Sequence, residues 1–346
     1  MAVARAIRLS FEAIEQAEGV GARVRRSIGT PKLRNFSPFL MLDHFTIYPG
    51  AGFPDHPHRG QETITYLLSG AVDHEDFAGN KGTIWAGDLQ FMTAGKGIMH
   101  AEMPRDMGDG SPDVGMQLWV DLPKHLKSVE PRYRDLRAKE IPQVVRHSEE
   151  KEDTTIKAAA NNNNNSDNDE STRDTETDST GGVLVKIISG KSHGVDSVRD
   201  LAYTPVWILD ITIQPGGKIR QQVPKDWNAF AYTLFGTVSF TDGDDRKDPN
   251  RPNNVKTILP YHNVVFENDG LADVVIAQVD SHSDQPARFI LFAGQPLDQQ
   301  VIQYGPFVLN SREGVMQAMT DFQSNANGFE RAKGWSSQIG KAMTAG

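Results

Sequence analysis

Two short stretches of this chain carry side chains that could do chemistry together. His56-Pro57-His58 places two imidazoles two residues apart, and His100-Ala101-Glu102, 42 residues further on, places an imidazole and a carboxylate at the same spacing. On a β-strand, residues i and i+2 face the same side, so each pair can aim two side chains at one point. Two such strands facing each other inside a barrel would build a four-ligand pocket. Three neutral nitrogens and one anionic oxygen suit a borderline divalent metal such as Fe(II), Mn, Ni, Cu(II) or Zn. On an octahedral ion two positions stay open, with room for water, dioxygen or a bidentate substrate. A second carboxylate, Glu62, follows His58 at four positions. Both acids could lie near the metal, one as ligand and the other orienting a ligating imidazole.

The elements that would carry these pairs are short strands. Apolar and β-branched runs at 63–68, 82–85 and 89–92 each end near glycine and a run at 117–120 closes the series, which indicates an all-β sandwich or barrel for residues 1–147. Gly95 and Gly97 permit a tight turn that swings His100 into the barrel. The same texture returns at 183–188, 206–211, 231–235, 263–266 and 288–292. Tyr66-Leu67-Leu68-Ser69-Gly70 resembles Tyr232-Thr233-Leu234-Phe235-Gly236, as in a duplicated barrel. The second barrel, 183–322, is expected to hold no metal, because Ile219-Arg220-Gln221-Gln222-Val223 stands where an HxH would be. His262 and His282 lack a carboxylate at i, i+2, and they read as ordinary histidines, as do His74, His125, His147 and His193. His44 could sit near the pocket, though no spacing demands it. Residues 310–322 (NSREGVMQAMTDF) predict a closing helix, capped by Asn310 or Ser311, with Val315, Met316, Met319 and Phe322 as its apolar stripe. The tail, 323–346, reads as flexible.

Between the barrels, residues 148–182 are rich in Asn, Ser, Thr and acids and poor in large apolar side chains. Such a segment cannot offset the entropy of ordering its backbone, so a disordered insertion is expected. The stretch 147–182 holds ten acidic and three basic residues, which leaves the rest of the chain at about −2 of the total charge of −9. No basic footprint for nucleic acid is present. Arg23-Val24-Arg25-Arg26 is short and reads as a solvated strand or turn. The chain has no cysteine, which excludes disulfides, thiolate zinc sites and cysteine nucleophiles. The N-terminus lacks a signal-peptide run, and no stretch nears the roughly 18 apolar residues of a membrane span. A soluble intracellular protein, nuclear or cytoplasmic, monomeric and without a membrane or direct nucleic-acid partner, is the expectation. Nucleotide-binding, serine-hydrolase and HExxH motifs are missing.

The pattern of Gly52, His56, His58 and Glu62, followed by a Gly-rich turn and His100, approximates the two-part cupin motif, which by itself favours Glu62 as the carboxylate. The stretches FSPFLMLDHF, DHPHRGQETITYLLSG, TAGKGIMHAEMP and GQPLDQQVIQYGPFVLNSREGVMQAMTDF occur in the order seen in pirins. The chain resembles the pirin family over nearly its whole length outside 148–182. The resemblance implies two tandem cupin barrels (double-stranded β-helix, or jelly-roll, folds). It implies an iron in the first barrel, held by His56, His58, His100 and Glu102, with Glu62 as a pocket residue or a support for a ligand. It further implies quercetin 2,3-dioxygenase activity on a flavonol-like substrate and O2, with Glu102 or Glu62 removing the 3-hydroxyl proton and Phe53, Met92 and Met99 near the pocket. The alternative that it implies is a non-enzymatic iron-binding, redox-sensing nuclear co-regulator with a transcription-factor partner. Other divalent metals remain compatible with the donor set, and a structural zinc is a third reading.

Overall fold

The valine-, isoleucine- and aromatic-rich runs form strands between glycine turns. The structure is a computed structural model and describes residues 3–146, 155–157, 181–198, 201–242 and 254–341. It divides into two units, and each takes its strands from separate parts of the chain. The first strand, β1 (Ile7–Glu12), belongs to the unit that comes later in the sequence.

The unit carrying the histidine pairs comprises residues 13–138, 201–205 and 294–346. Its strands are β2 (Glu15–Glu18), β3 (Ala22–Ile28), β4 (Phe39–Ile47), β5 (Phe53–His58), β6 (Gln61–Ser69), β7 (Ala71–Asp76), β8 (Lys81–Trp85), β9 (Leu89–Thr93), β10 (Ile98–Pro104), β11 (Asp113–Asp121) and β12 (Arg132–Tyr133). They form a seven-stranded sheet, β12-β9-β6-β11-β4-β3-β2, and a four-stranded sheet, β5-β10-β7-β8. The inner faces pack together through Val24, Phe45, Ile47 and Leu67 of the first sheet against Val72 and Ile84 of the second. Alternate residues of each strand therefore point into the barrel.

The other unit comprises residues 1–12, 139–200 and 206–293. Its strands continue as β13 (Gln143–Arg146), β14 (Thr155–Lys157), β15 (Val183–Ser189), β16 (Lys191–Ser192), β17 (Val195–Asp196), β18 (Val206–Ile213), β19 (Lys218–Gln222), β20 (Asn228–Phe235), β21 (Val238–Asp242), β22 (Asn254–Ile258), β23 (His262–Phe266), β24 (Val274–Gln278) and β25 (Ala287–Gly294). Here the sheets run β1-β23-β20-β25-β18-β15-β13-β14 and β19-β24-β21-β22. The repeat expected from the sequence is thus present strand for strand. The central order β9-β6-β11-β4-β3 corresponds to β23-β20-β25-β18-β15, and β5-β10-β7-β8 to β19-β24-β21-β22. In this register β19 takes the place of the HxH strand and β24 that of the His100 strand. Ile219, Val275 and Ala277 from these two strands are buried in a hydrophobic cluster with Phe240, Phe266 and Phe289, and Gln221, on the same face of β19 as Ile219, is buried with its own hydrogen bonds to Ser192 and Lys191.

The fold is all-β, two tandem cupin barrels with one short C-terminal α-helix. The unit boundaries depart from those expected at 1–147, 183–322 and 323–346. Strand β1 pairs antiparallel with β23, Leu9 opposite Val265, so the N-terminus completes the later barrel. The chain after Gly294 belongs with the histidine-bearing barrel instead. There it forms β26 (Ile302–Tyr304), β27 (Phe307–Leu309) and α1 (Arg312–Ser324). Ser311 caps α1 by accepting from Gly314 N–H at 3.0 Å. The buried face of α1 is Val315, Ala318 and Asp321, whereas Met316 is 67% exposed, which corrects the expected stripe. The expected flexible tail is packed at least as far as Ser337: Phe329 is fully buried against Phe307 and Phe322, and Ser337 is buried too. Of the expected insertion, residues 148–154 and 158–180 lie outside the described residues, and β14 pairs with β13.

Candidate metal site

Strand alternation brings the two sequence pairs to one wall of the barrel. β5 and β10 are antiparallel neighbours with His100 directly opposite His56. The turn leading into β10 depends on its glycines. Gly95 has φ 51°, and a Cβ there would overlap the carbonyl oxygen of Val129. Gly97 has φ 146°, and its Cβ would lie 2.9 Å from the ring of Phe329. Backbone at such φ is open to glycine and strained for other residues.

His56, His58 and His100 each offer a ring nitrogen, and these atoms lie within 4.8 Å of one another. Nε2 of His56 and Nε2 of His100 are 3.0 Å apart. The far nitrogens fix the rings. Nδ1 of His56 is 2.8 Å from the carbonyl of Pro54, which makes it the donor and leaves Nε2 with a lone pair. The Gln61 amide, turned to satisfy both ends, puts its oxygen 3.1 Å from Nδ1 of His58 and its nitrogen on the carbonyls of Arg59 and Pro306. Nε2 of His58 is then buried with no protein partner, as is Nδ1 of His100. A buried nitrogen without a partner costs about 1–3 kcal/mol. A cation at the centre of the three rings would remove that cost for Nε2 of His58, so the donor set fits a divalent metal.

Burial holds the His58 and His100 imidazoles well below the usual histidine range, reinforced by neighbouring imidazoles, and it lowers His56 as well. All three rings are therefore neutral at pH 7 with lone pairs available, the form that binds metal. His56 and His58 line a cavity of about 510 Å3, with His100 beside them, and the volume is within the span of roughly 300–1,000 Å3 typical of small-molecule sites. Its walls include Met41, Phe45, Phe53 and Trp119. Trp119 also meets the His58 ring edge-on, with centroids 5.1 Å apart.

Glu102 lines the same cavity, 5% exposed. Its Oε1 accepts from the Thr65 hydroxyl at 3.0 Å and its Oε2 from the Gln117 amide at 3.2 Å. Burial pushes its carboxyl up to about 7 against those two hydrogen bonds. A cation beside it would pull it back down. Glu62 goes elsewhere. It lies three residues before cavity-lining Thr65 on β6 and so faces the opposite side of the sheet. There it accepts from the Thr93 hydroxyl at 2.8 Å and from the backbone N–H groups of Tyr203 and Thr204. The expectation that Glu62 reaches the pocket is corrected by that alternation. Phe53 lines the cavity, whereas Met92 belongs to a separate core cluster and Met99 does not line it. His44 alternates away from Asp43 and Phe45, which do.

Several contributors escaped the sequence reading. Thr65, Gln117 and Gln61 hold the candidate ligands, and the signal was present as polar residues inside buried apolar strands. Arg26 is another. Val24 and Arg26 face inward while Arg23 and Arg25 face out, where Glu15 pairs with both. The basic run is thus solvated only on one side. Among the described residues no other group of histidines and acids gathers as a metal site, and no helix is long and apolar enough to cross a membrane.

Two cupin barrels with a three-histidine centre in one of them define a bicupin. The Pirin family model matches residues 21–120 and the Pirin C-terminal cupin domain model residues 208–328. Human pirin is 42% identical over 98% of this chain and 100% of its own length. A pirin-like protein of Solanum lycopersicum is also 42% identical, over 93% of each chain. The chain belongs to the pirin family. Among solved structures, a quercetin 2,3-dioxygenase from Acinetobacter baumannii superposes with a TM-score of 0.72 at 24% identity, covering 93% of this chain and 98% of that one. The bacterial pirin YhhW of Escherichia coli in complex with nickel(II) gives 0.54 at 18% identity, covering 84% and 99%. These two likenesses are of fold.

Proposed function

We propose that this protein is an iron-dependent dioxygenase acting on quercetin-like flavonols, with quercetin 2,3-dioxygenase activity. One observation carries the reading: three neutral imidazoles, two of them buried, converge beside a mostly apolar cavity of small-molecule size that His56, His58 and Glu102 line. His56, His58, His100 and Glu102 would hold Fe(II). The same donors accept other divalent ions, and the nickel complex of the Escherichia coli relative is consistent with that. Bound there, the ion supplies Lewis-acid and one-electron chemistry toward dioxygen.

The chain's own residues supply the rest. Phe53, Met41 and Trp119 provide flat and flexible apolar walls that would bind an aromatic ring system and exclude water. Glu102 would take the proton of the 3-hydroxyl, and Thr65 and Gln117 keep its oxygens oriented. Pro54 and Gln61 hold two imidazoles in the metal-binding tautomer. Glu62 has no part in this chemistry. Oxygen uptake by Fe(II)-loaded protein with quercetin tests the reading. Uptake that His56→Ala abolishes is expected; no uptake, or equal uptake by the variant, overturns it.

A second reading is a redox-sensing nuclear co-regulator working through a transcription-factor partner. It is favoured by the end-to-end identity with human pirin, which exceeds that with the dioxygenase structure. Partner capture from nuclear extract by the Fe(III) form but not the Fe(II) form is expected. Unchanged capture by metal-free His58→Ala would sink it.

A further inference from the structure

The charged side chains around the cavity are arranged asymmetrically. Arg26 is the only arginine or lysine lining it, and Glu18, Asp43, Asp55 and Glu102 are the acids, among the described residues. The Nε and Nη2 donors of the Arg26 guanidinium are already occupied. Its Nε donates to Oδ1 of Asp43 at 2.9 Å, and its Nη2 donates to Oδ2 of Asp43 at 2.7 Å and to Glu18 at 2.7 Å. The pair with Asp43 is a fork-on-carboxylate contact, the geometry in which an arginine otherwise captures a substrate carboxylate. Asp43 is nearly buried and Glu18 half-exposed, so the triad runs from the cavity wall toward solvent.

We infer that Glu18 and Asp43 act as a charge filter: by occupying Arg26 they make the cavity select uncharged aromatic hydroxy compounds and reject aromatic carboxylates. With all four acids ionised, the lining carries one positive and four negative side chains. A divalent metal would bring the sum only to about −1. An incoming anion therefore finds both bidentate edges of the guanidinium blocked at Nη2, which leaves Nη1 as a single donor, and meets a lining of net negative charge, which disfavours binding electrostatically. An uncharged hydroxyl compound meets no such barrier and can lose its proton once inside. The inference rests on the small-molecule reading of the cavity and names the ligand charge that it accepts.

Calorimetry of the metal-loaded full chain with 2-naphthol and 2-naphthoate tests it, since the two probes differ mainly in charge. The alcohol is expected to bind at least tenfold more tightly. In Glu18→Gln the ratio shrinks severalfold, and in Glu18→Gln/Asp43→Asn it shrinks at least tenfold or inverts, because Arg26 is released. Raising the salt concentration should reduce the wild-type ratio, because the Glu18 end of the triad is solvated. Glu18→Gln alone keeps the test decisive if the double variant fails to fold. Equal binding of both probes, or a ratio unmoved by Glu18→Gln, overturns the filter and leaves the small-molecule reading standing. Binding of neither probe overturns both.

Discussion

Arg59 and Asp321 form a buried ion pair, Nη1 to Oδ2 at 2.7 Å, that fastens the residue beside His58 to the C-terminal helix. The same guanidinium donates to the carbonyls of Lys96 and Asn327 and lies 4.7 Å from the Phe329 ring centre. Lys96 sits in the turn before His100. One side chain thus braces the histidine strand, the glycine turn and the packed C-terminal segment together. Asp321 is in turn held by Gln317 and Asn327, so its position is fixed from its own side as well.

Removal of Asp321 should show how much that brace contributes. Taking one partner from a buried pair costs about 3–5 kcal/mol, because the other charge is left uncompensated. Asp321→Ala is expected to fall in that range in urea unfolding, with Asp321→Asn less affected because it keeps hydrogen-bonding atoms. Metal affinity should weaken in parallel, since His58 adjoins Arg59. A loss below about 1 kcal/mol would mean that the brace is dispensable.

Metal should stabilise the folded chain through the three imidazoles. At a free metal concentration of 100 times Kd, linkage gives about 2.7 kcal/mol. Fe(II) or Ni(II) should raise Tm in wild-type protein, and His58→Ala or His100→Ala should abolish the rise. Glu102→Gln should reduce it while keeping the hydrogen bond from Thr65. A metal-dependent rise that survives in His58→Ala would place the ion elsewhere.

Gly97→Ala combines backbone strain with a collision against Phe329, whereas Gly79→Ala has positive φ but open space around it. Strained backbone costs on the order of 1–3 kcal/mol. Gly97→Ala is expected to lose more stability than Gly79→Ala and also to weaken metal binding, because its turn delivers His100. Equal losses would show that the contact with Phe329 is unimportant.

Glu62 predicts a pH signature in the same window as Glu102 of the metal-free chain, and the Glu62→Gln comparison isolates it. Burial pushes its carboxyl up to about 7 from the ordinary 4.5, against donors from Thr93, Tyr203 and Thr204. Between those values the folded chain holds a proton that the unfolded chain has lost. Stability therefore falls as pH rises from about 4.5 to 7 and stays reduced above, by on the order of 3 kcal/mol. Glu62→Gln removes the titration. The stability difference between variant and wild type should move in favour of the variant from pH 5 to pH 8, as measured by chemical denaturation at each pH. A pH-independent difference would show that Glu62 titrates normally.

Sequence alone determined the local content of the site. The i, i+2 spacing of His56/His58 and of His100/Glu102 sets which face each side chain takes on a strand, because the side-chain period of a strand is two. The glycines at 95 and 97, a cap at Asn310 or Ser311 and the absence of ligand types on β19 were equally readable, since each depends on residue type over a few positions. Tertiary structure decided what depends on pairing across long separations. It sent β1 to β23, and it drew the residues after Gly294 back to the histidine barrel. It turned Glu62 toward Tyr203, 141 residues away, while Glu102 faced the cavity. It also placed Arg26 between Glu18 and Asp43, inside a run that reads as solvated. Burial and partners at such distances are set by which strands become neighbours, and no local periodicity encodes that choice.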